Sequence, residues 1–222
     1  MDYRGVLVGL GNPGPKYDGT RHNTGFLLLD RLLDMAHLDG SVSEQNGKRF
    51  DCELWRVQLE ALGGTWLVAK PMTYMNLSGQ CVQPLLAWHK MSPRDLVVVH
   101  DELDLPPGAL RFKFGGGNAG HNGLKSITER LGTPDFYRLR LGIGHPEHRS
   151  AVADWVLTRM SGTDADMWQE AMDAGLETLM RFANKGLEQA VTYANRASKR
   201  IAQDFADKQA GKQADRQTGR QA

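Results

Sequence analysis

The sequence predicts a single α/β domain built on a twisted mixed sheet, mainly parallel, that is flanked by helices. Short apolar, β-branched runs alternate along the chain with segments whose apolar residues recur at helical spacing. No internal repeat breaks that alternation, and 222 residues suffice for one domain with a substantial core.

The elements follow in order. "GVLVGL" (5–10) is an apolar run closed by glycines and reads as a buried strand. After the loop "GNPGPKYDGT", Asn23 or Thr24 can cap a helix whose face holds Phe26, Leu29, Leu33 and Ala36, flanked by Leu28, Leu32 and Met35. "RFDCELWRVQLE" (49–60) alternates like a strand, with "ALGG" as its turn into "TWLVAKP" (65–71). "MNLSGQCVQPLLAWHK" (75–90) reads as a loop and a helix, and "DLVVVHD" (95–101) as the central strand. "GALRFKFGGG" (108–117) is a strand ending in a flexible loop, "HNGLKSITERLG" a helix and "DFYRLRLGIG" (135–144) a further strand. Trp168, Met172, Leu176 and Leu179 mark an amphipathic helix. The domain is expected over 1–198. Residues 199–222, rich in Gln, Lys and Arg, are expected to form a disordered tail with weak helical tendency at its start.

Composition excludes several classes. The apolar fraction is 41% and the charged fraction 24%, with a net charge of +1, so any basic site must be local. Cys52 and Cys81 form no metal-ligand or CxxC pattern and read as reduced thiols of a cytosolic protein. The apolar run near the start lasts only a strand's length, too short for a signal peptide or membrane span. A soluble, cytoplasmic chain is expected.

Three motifs mislead. Gly9, Gly11 and Gly14 satisfy the dinucleotide-binding spacing after a strand. Pro13 and Pro15 stiffen the segment where a phosphate turn should enter a helix, however, and the acidic residue about twenty positions on, Asp30, falls inside that helix rather than ending a second strand. "GHNGLKS" misses a P-loop because Leu124 separates Gly123 from Lys125. "HDELD" (100–104) gathers His100, Asp101, Glu102 and Asp104 without a partner cluster of metal-ligand spacing. No G-x-S-x-G elbow is present, and neither cysteine has a catalytic setting.

What remains is a set of polar residues on loops beside strands: Asn12, Asn76, Asp101 and Asn122, with His22 just beyond the first loop. In open α/β sheets such loops line the functional crevice. A histidine can take a proton from water, an aspartate can fix its tautomer, and carboxamides can donate to an oxyanion without titrating. That inventory suits water-mediated hydrolysis of an activated carbonyl, an ester above all. Each residue also has a local alternative. His22 can simply start a helix, Asn12 make a turn, Asn122 cap a helix and Asp101 cap a turn.

Between 111 and 149, Arg111, Lys113, Lys125, Arg130, Arg138, Arg140 and Arg149 face only Glu129, Asp135 and Glu147. In "RFKF" and "RLRL" the basic residues alternate with apolar ones and would share one face of a strand. Such a face can grip phosphates, or can be a protected sheet edge. An NAD-dependent oxidoreductase and a non-catalytic RNA-binding module are the competing readings.

Four longer stretches are more specific: "VGLGNPGPKYDGTRHNTGF", "KPMTYMNLSG", "HDELDLPPGALRFKFGGGNAGHNGLKSI" and "FYRLRLGIGHP". In these the chain resembles the bacterial peptidyl-tRNA hydrolases. The resemblance implies cleavage of the ester between a peptide and the 3′ end of tRNA, recycling tRNA from prematurely released peptidyl-tRNA. It implies that His22 is the general base, that Asp101 orients it, and that Asn12 and Asn76 place the substrate and stabilise the oxyanion. Asn122 would hold the peptide part and the water. Tyr17, Asn23, Tyr74 and Met75 would line the cleft, and His121 would support it. Lys113 and Arg140, with Arg111 close by, would clamp the 5′-phosphate of the tRNA, and loop 115–120 would gate access. A monomer with no metal or organic cofactor is implied, with peptidyl-tRNA as its partner and no membrane association. Position 74 is tyrosine where the family often has phenylalanine, and "GGGNAG" differs locally from relatives.

Overall fold

The computed structural model describes residues 3–146, 148 and 151–218. At its centre β1 (Val6–Gly9) and β5 (Leu96–Glu102) run parallel and are buried along their whole length, as strands covered on both faces must be. β4 (Gly64–Pro71) adds in parallel outside β1, and β7 (Tyr137–Gly142) in parallel outside β5. The edges turn antiparallel. β3 (Cys52–Leu59) pairs with β4 through the turn at Glu60–Leu62, β2 (Val42–Gln45) pairs with β3, and β6 (Leu110–Phe114) pairs with β7. The result is one seven-stranded mixed sheet in the order β2-β3-β4-β1-β5-β7-β6, parallel in its middle only.

Helices cover both faces. α1 (Thr24–Leu38), α5 (Gly162–Lys185) and α6 (Leu187–Thr218) pack on Leu7, Val97, Val99 and Leu139. α2 (Ser78–Trp88) and α3 (Asn122–Leu131) pack on Val6, Val8, Leu67 and Val98. A short helix, α4 (Val152–Val156), follows β7. Gly9 and Gly11 serve close packing against the start of α1, whereas Gly14 sits in open space with a positive φ of 105°. A Cβ on Gly9 would lie 2.4 Å from the Gly25 carbonyl oxygen, and one on Gly25 would lie 2.2 Å from the Leu10 nitrogen. The start of α1 is therefore pressed directly onto the end of β1, which brings His22 to the sheet.

Two elements differ from the sequence reading. β2 is too short and polar to be read from "VSEQ", and it exists by pairing with β3. The boundary expected at 198 falls inside α6, which continues to Thr218, and beyond it Ile201 and Phe205 are core residues. Ser198 itself covers the first residue of the edge strand β6. Its Oγ accepts the Leu110 N–H at 2.8 Å and lies 2.9 Å from the Leu110 carbonyl oxygen. Residues 219–222 of the expected tail lie outside the described residues.

Candidate active site

The carboxyl ends of the parallel strands carry the polar residues singled out above. Asn12 follows β1, Asn76 lies in the turn Met75–Leu77 after β4, and Asp101 is the penultimate residue of β5. His22 sits in the turn Arg21–Asn23 that leads into α1.

Asp101 is buried and its Oδ1 has two imidazole partners, His22 Nδ1 at 2.9 Å and His121 Nε2 at 3.0 Å. His121 is also the N-cap of α3, and its Nδ1 accepts the N–H of Gly123 at 3.1 Å and of Leu124 at 3.4 Å. Its proton therefore sits on Nε2 and is donated to Asp101. His22 donates its Nδ1 proton to the same oxygen, which leaves its Nε2 with a free lone pair and no protein partner among the described residues.

The electrostatics are mutual. Burial resists ionisation of Asp101, but the two imidazoles outweigh it and hold the carboxyl well below the usual carboxylate range. Burial likewise resists charge on His22, yet the Asp101 carboxylate and its hydrogen bond leave the imidazole above its ordinary value. His100, on the other side of β5, is pushed well down by complete burial and by His121, and stays neutral. Its Nδ1 donates to the Asp101 carbonyl at 2.6 Å, and its ring meets that of His121 edge-on at 5.0 Å.

His22, Asp101 and His121 bring ligand-type atoms within 4.8 Å of one another. The set is arranged for hydrogen bonding, since His121 presents a proton rather than a lone pair to the group.

Asn12 is held from both sides. Its backbone N–H donates to Asn23 Oδ1 at 2.8 Å, and its carbonyl accepts from Asn23 Nδ2 at 3.0 Å. Its own Oδ1 accepts the Met75 N–H at 2.8 Å, so its Nδ2 amide is oriented and has no protein partner among the described residues. Asn23 was expected to bind substrate. It is buried, and its amide holds the Asn12 backbone N–H and carbonyl.

A cavity of about 350 Å³ opens beside His22 and Asp101. Ala119, Gly120, His121 and Asn122 form one wall, while Leu103 with Val152, Ala153 and Val156 of α4 forms an apolar one. Asn122 points its exposed side chain here from the first residue of α3, and the helix is capped by His121 rather than by Asn122. The loop before it is fastened by Arg138, a fully buried side chain that donates to Gly117 O at 2.6 Å and to Pro134 O at 3.2 Å.

On the neighbouring β6–β7 pair, Arg111 stands opposite Arg140 and Lys113 opposite Arg138. Arg140 Nε and Nη2 both reach buried Glu102 Oε2, each at 2.8 Å. Burial, then Arg140 and Arg138, push the Lys113 ammonium below its ordinary value, a sign of surplus positive charge. Arg111, on the same sheet face as Arg140, donates its Nη1 to Leu110 O at 2.8 Å and to Ser198 Oγ at 3.0 Å. Glu147 and Arg149 lie outside the described residues.

The family model described as peptidyl-tRNA hydrolase matches residues 6–203. The chain belongs to the peptidyl-tRNA hydrolase family. It is 62% identical over 199 residues to the peptidyl-tRNA hydrolase of Desulfovibrio desulfuricans, covering 90% of this chain and 87% of that one. With the peptidyl-tRNA hydrolase of Halorhodospira halophila it shares 47% identity, over 79% of this chain and 88% of that one. The crystal structure of peptidyl-tRNA hydrolase from Acinetobacter baumannii superposes with a TM-score of 0.80 at 35% identity, covering 88% of this chain and 97% of that chain.

In this member of the peptidyl-tRNA hydrolase family the fold brings His22, Asp101, His121 and Asn122 to one cavity. Asn12 and Met75 are joined beside it, while Asn76 and Tyr74 are exposed and Tyr17 is half-buried under the Lys16 ammonium. The sequence reading missed the α4 wall, Glu102 as the partner of Arg140, and Arg138 as the anchor of the glycine loop. A buried arginine and an exposed one look alike in sequence, so no signal marked these.

Proposed function

We propose that the chain hydrolyses the ester between the peptide and the 3′ end of tRNA in peptidyl-tRNA, with His22 as the general base. The observation that carries the mechanism is the 2.9 Å contact of His22 Nδ1 with Asp101 Oδ1, which turns the Nε2 lone pair to the cavity side. A water donates its proton to Nε2 as its oxygen attacks the ester carbonyl. Charge develops on the carbonyl oxygen, where the free Asn12 Nδ2 amide donates a hydrogen bond. Collapse expels the ribose 3′-oxygen, which takes the proton back from the His22 imidazolium, so ester and water become acid and alcohol. Asp101 stabilises the imidazolium and stays ionised.

Asn122, which lines the same cavity as His22, reads the peptide group that distinguishes peptidyl from aminoacyl esters. Lys113 and Arg140 hold the 5′-phosphate of the tRNA, supported by the surplus of positive charge between β6 and β7. No described helix is long and apolar enough to cross a membrane. The chain acts as a monomer in the cytoplasm, without metal or organic cofactor.

The test is incubation with an N-acetylated aminoacyl-tRNA and its unblocked counterpart, with EDTA present, in wild type and His22→Ala. Release of tRNA from the blocked substrate alone, lost in the variant, is expected. Cleavage that survives in His22→Ala, or that EDTA abolishes, would overturn the mechanism.

A further inference from the structure

The turn that carries His22 also carries Arg21, a buried cation that hydrogen-bonds to no carboxylate among the described residues, with Asp164 acting on it only through its charge. Its Nη1 donates to Thr158 Oγ1 and, at 2.7 Å, to the Arg159 carbonyl oxygen. Its guanidinium lies over the Trp155 ring, 3.8 Å from the centroid. Its backbone N–H donates to Thr158 O at 2.9 Å, and Thr20 forms an isolated antiparallel bridge with Arg159. Trp155 in turn donates its Nε1–H to Gly144 O at 2.8 Å.

Each of these contacts lands on α4 or the residues just after it, and the turn Arg21–Asn23 is the main neighbour of α4. Five residues are too few to hold a helix without tertiary support. The same helix supplies Val152, Ala153 and Val156 to the cavity beside His22. A guanidinium suits the task because it stays charged when buried, stacks by its face and donates by its edge.

We propose that Arg21 is a positioning residue for the reaction. It docks α4 against the turn that bears the base, so that the apolar wall is in place when the acyl part of the substrate enters. Where α4 undocks, the binding-competent fraction falls and the apparent affinity falls with it. The kinetic side of this inference rests on the hydrolase reading above. The docking side does not.

The experiment combines hydrogen exchange with kinetics on N-acetyl-aminoacyl-tRNA, in the full chain, for Arg21→Met, Arg21→Lys, Trp155→Leu and His22→Ala. Arg21→Met is expected to speed exchange of the amides of 152–158 and to raise KM, each by about tenfold, with kcat little changed. Amides of α1 and β5 keep their wild-type rates. Arg21→Lys falls between the two because it restores charge without the stacked fork, and Trp155→Leu speeds the same amides even if Arg21→Met does not fold. His22→Ala abolishes kcat and leaves exchange at 152–158 unchanged. Unaltered exchange at 152–158, a rise shared equally by α1 and β5, or a loss of kcat at constant KM in the Arg21 variants overturns the proposal. If wild type cleaves no blocked aminoacyl-tRNA, the hydrolase reading fails by itself and the exchange data alone decide the docking.

Discussion

His121 Nε2 lies 3.0 Å from Asp101 Oδ1 while its Nδ1 caps α3, so one ring ties the buried carboxylate to the start of a helix. Removing that ring takes a hydrogen-bond donor from Asp101 and an acceptor from two backbone amides. His121→Ala is expected to lose about 1 kcal/mol of stability from the cap. It should also lower kcat roughly tenfold as Asp101 loses its second partner. Chemical denaturation and single-turnover hydrolysis measure the two separately. A wild-type rate in a destabilised variant would confine His121 to capping.

The pH profile has a definite sign. The proposed base His22 must be neutral to take a proton, and Asp101 raises its pKa above the ordinary 6.5. Hydrolysis should therefore rise with pH through an acid limb lying above that value. Asp101→Asn removes the raising charge, so the limb moves to lower pH while kcat falls by about 10²-fold or more through loss of the tautomer. Asp101 also links folding to acid. Its carboxyl is held well below the ordinary carboxylate value, so its contribution to stability is present above about pH 3.9 and is lost as pH falls below it. An acid limb that stays put in Asp101→Asn would detach the carboxylate from the base.

Asn23→Ala leaves the Asn12 N–H and C=O without partners in a buried setting. We expect a loss of about 2 kcal/mol in urea unfolding. The turnover number should fall with it, because the Asn12 amide loses its orientation. Asn23→Asp keeps the acceptor and should recover part of both. If KM alone changes in Asn23→Ala, Asn23 acts on substrate directly.

Lys113→Met should raise KM for intact tRNA substrates and reduce the salt slope of binding by about one contact. A substrate lacking the 5′-phosphate should show no difference between wild type and variant. Equal losses on both substrates would place the Lys113 contact elsewhere on the RNA.

Truncation separates the two parts of α6. Deleting residues 208–222 should leave melting temperature and hydrolysis of short substrates unchanged. Deleting 199–222 removes Ile201 and Phe205 from the core and should cost about 3–5 kcal/mol. Calorimetry of the two truncations decides it, and equal stability would return the domain boundary to 198.

Legibility in the sequence followed burial. β1 and β5 stood out because both faces are covered and their residues are continuously apolar, whereas β2 is made by its neighbour and left no pattern. His22, Asp101 and Asn12 could be singled out because parallel strands deliver their following loops to one crevice. The hold of Asn23 on the Asn12 backbone was not legible, for a physical reason. Its partner Asn12 lies across a loop that cannot be folded from local preferences. Arg21 drew no reading and Arg138 read as part of a basic strand face, because nothing in the one-dimensional pattern reports a cation buried among backbone carbonyls and a hydroxyl.

The Ser198 hydroxyl that covers Leu110 sits 88 positions later in the chain. During synthesis, therefore, the Leu110 N–H and carbonyl on the outer rim of β6 wait without this partner until residue 198 has left the ribosome. An open rim is a template for strand addition by another molecule. Stalled or shortened chains of this protein should accordingly clump through β6, and a chaperone that shields one sheet edge would protect them.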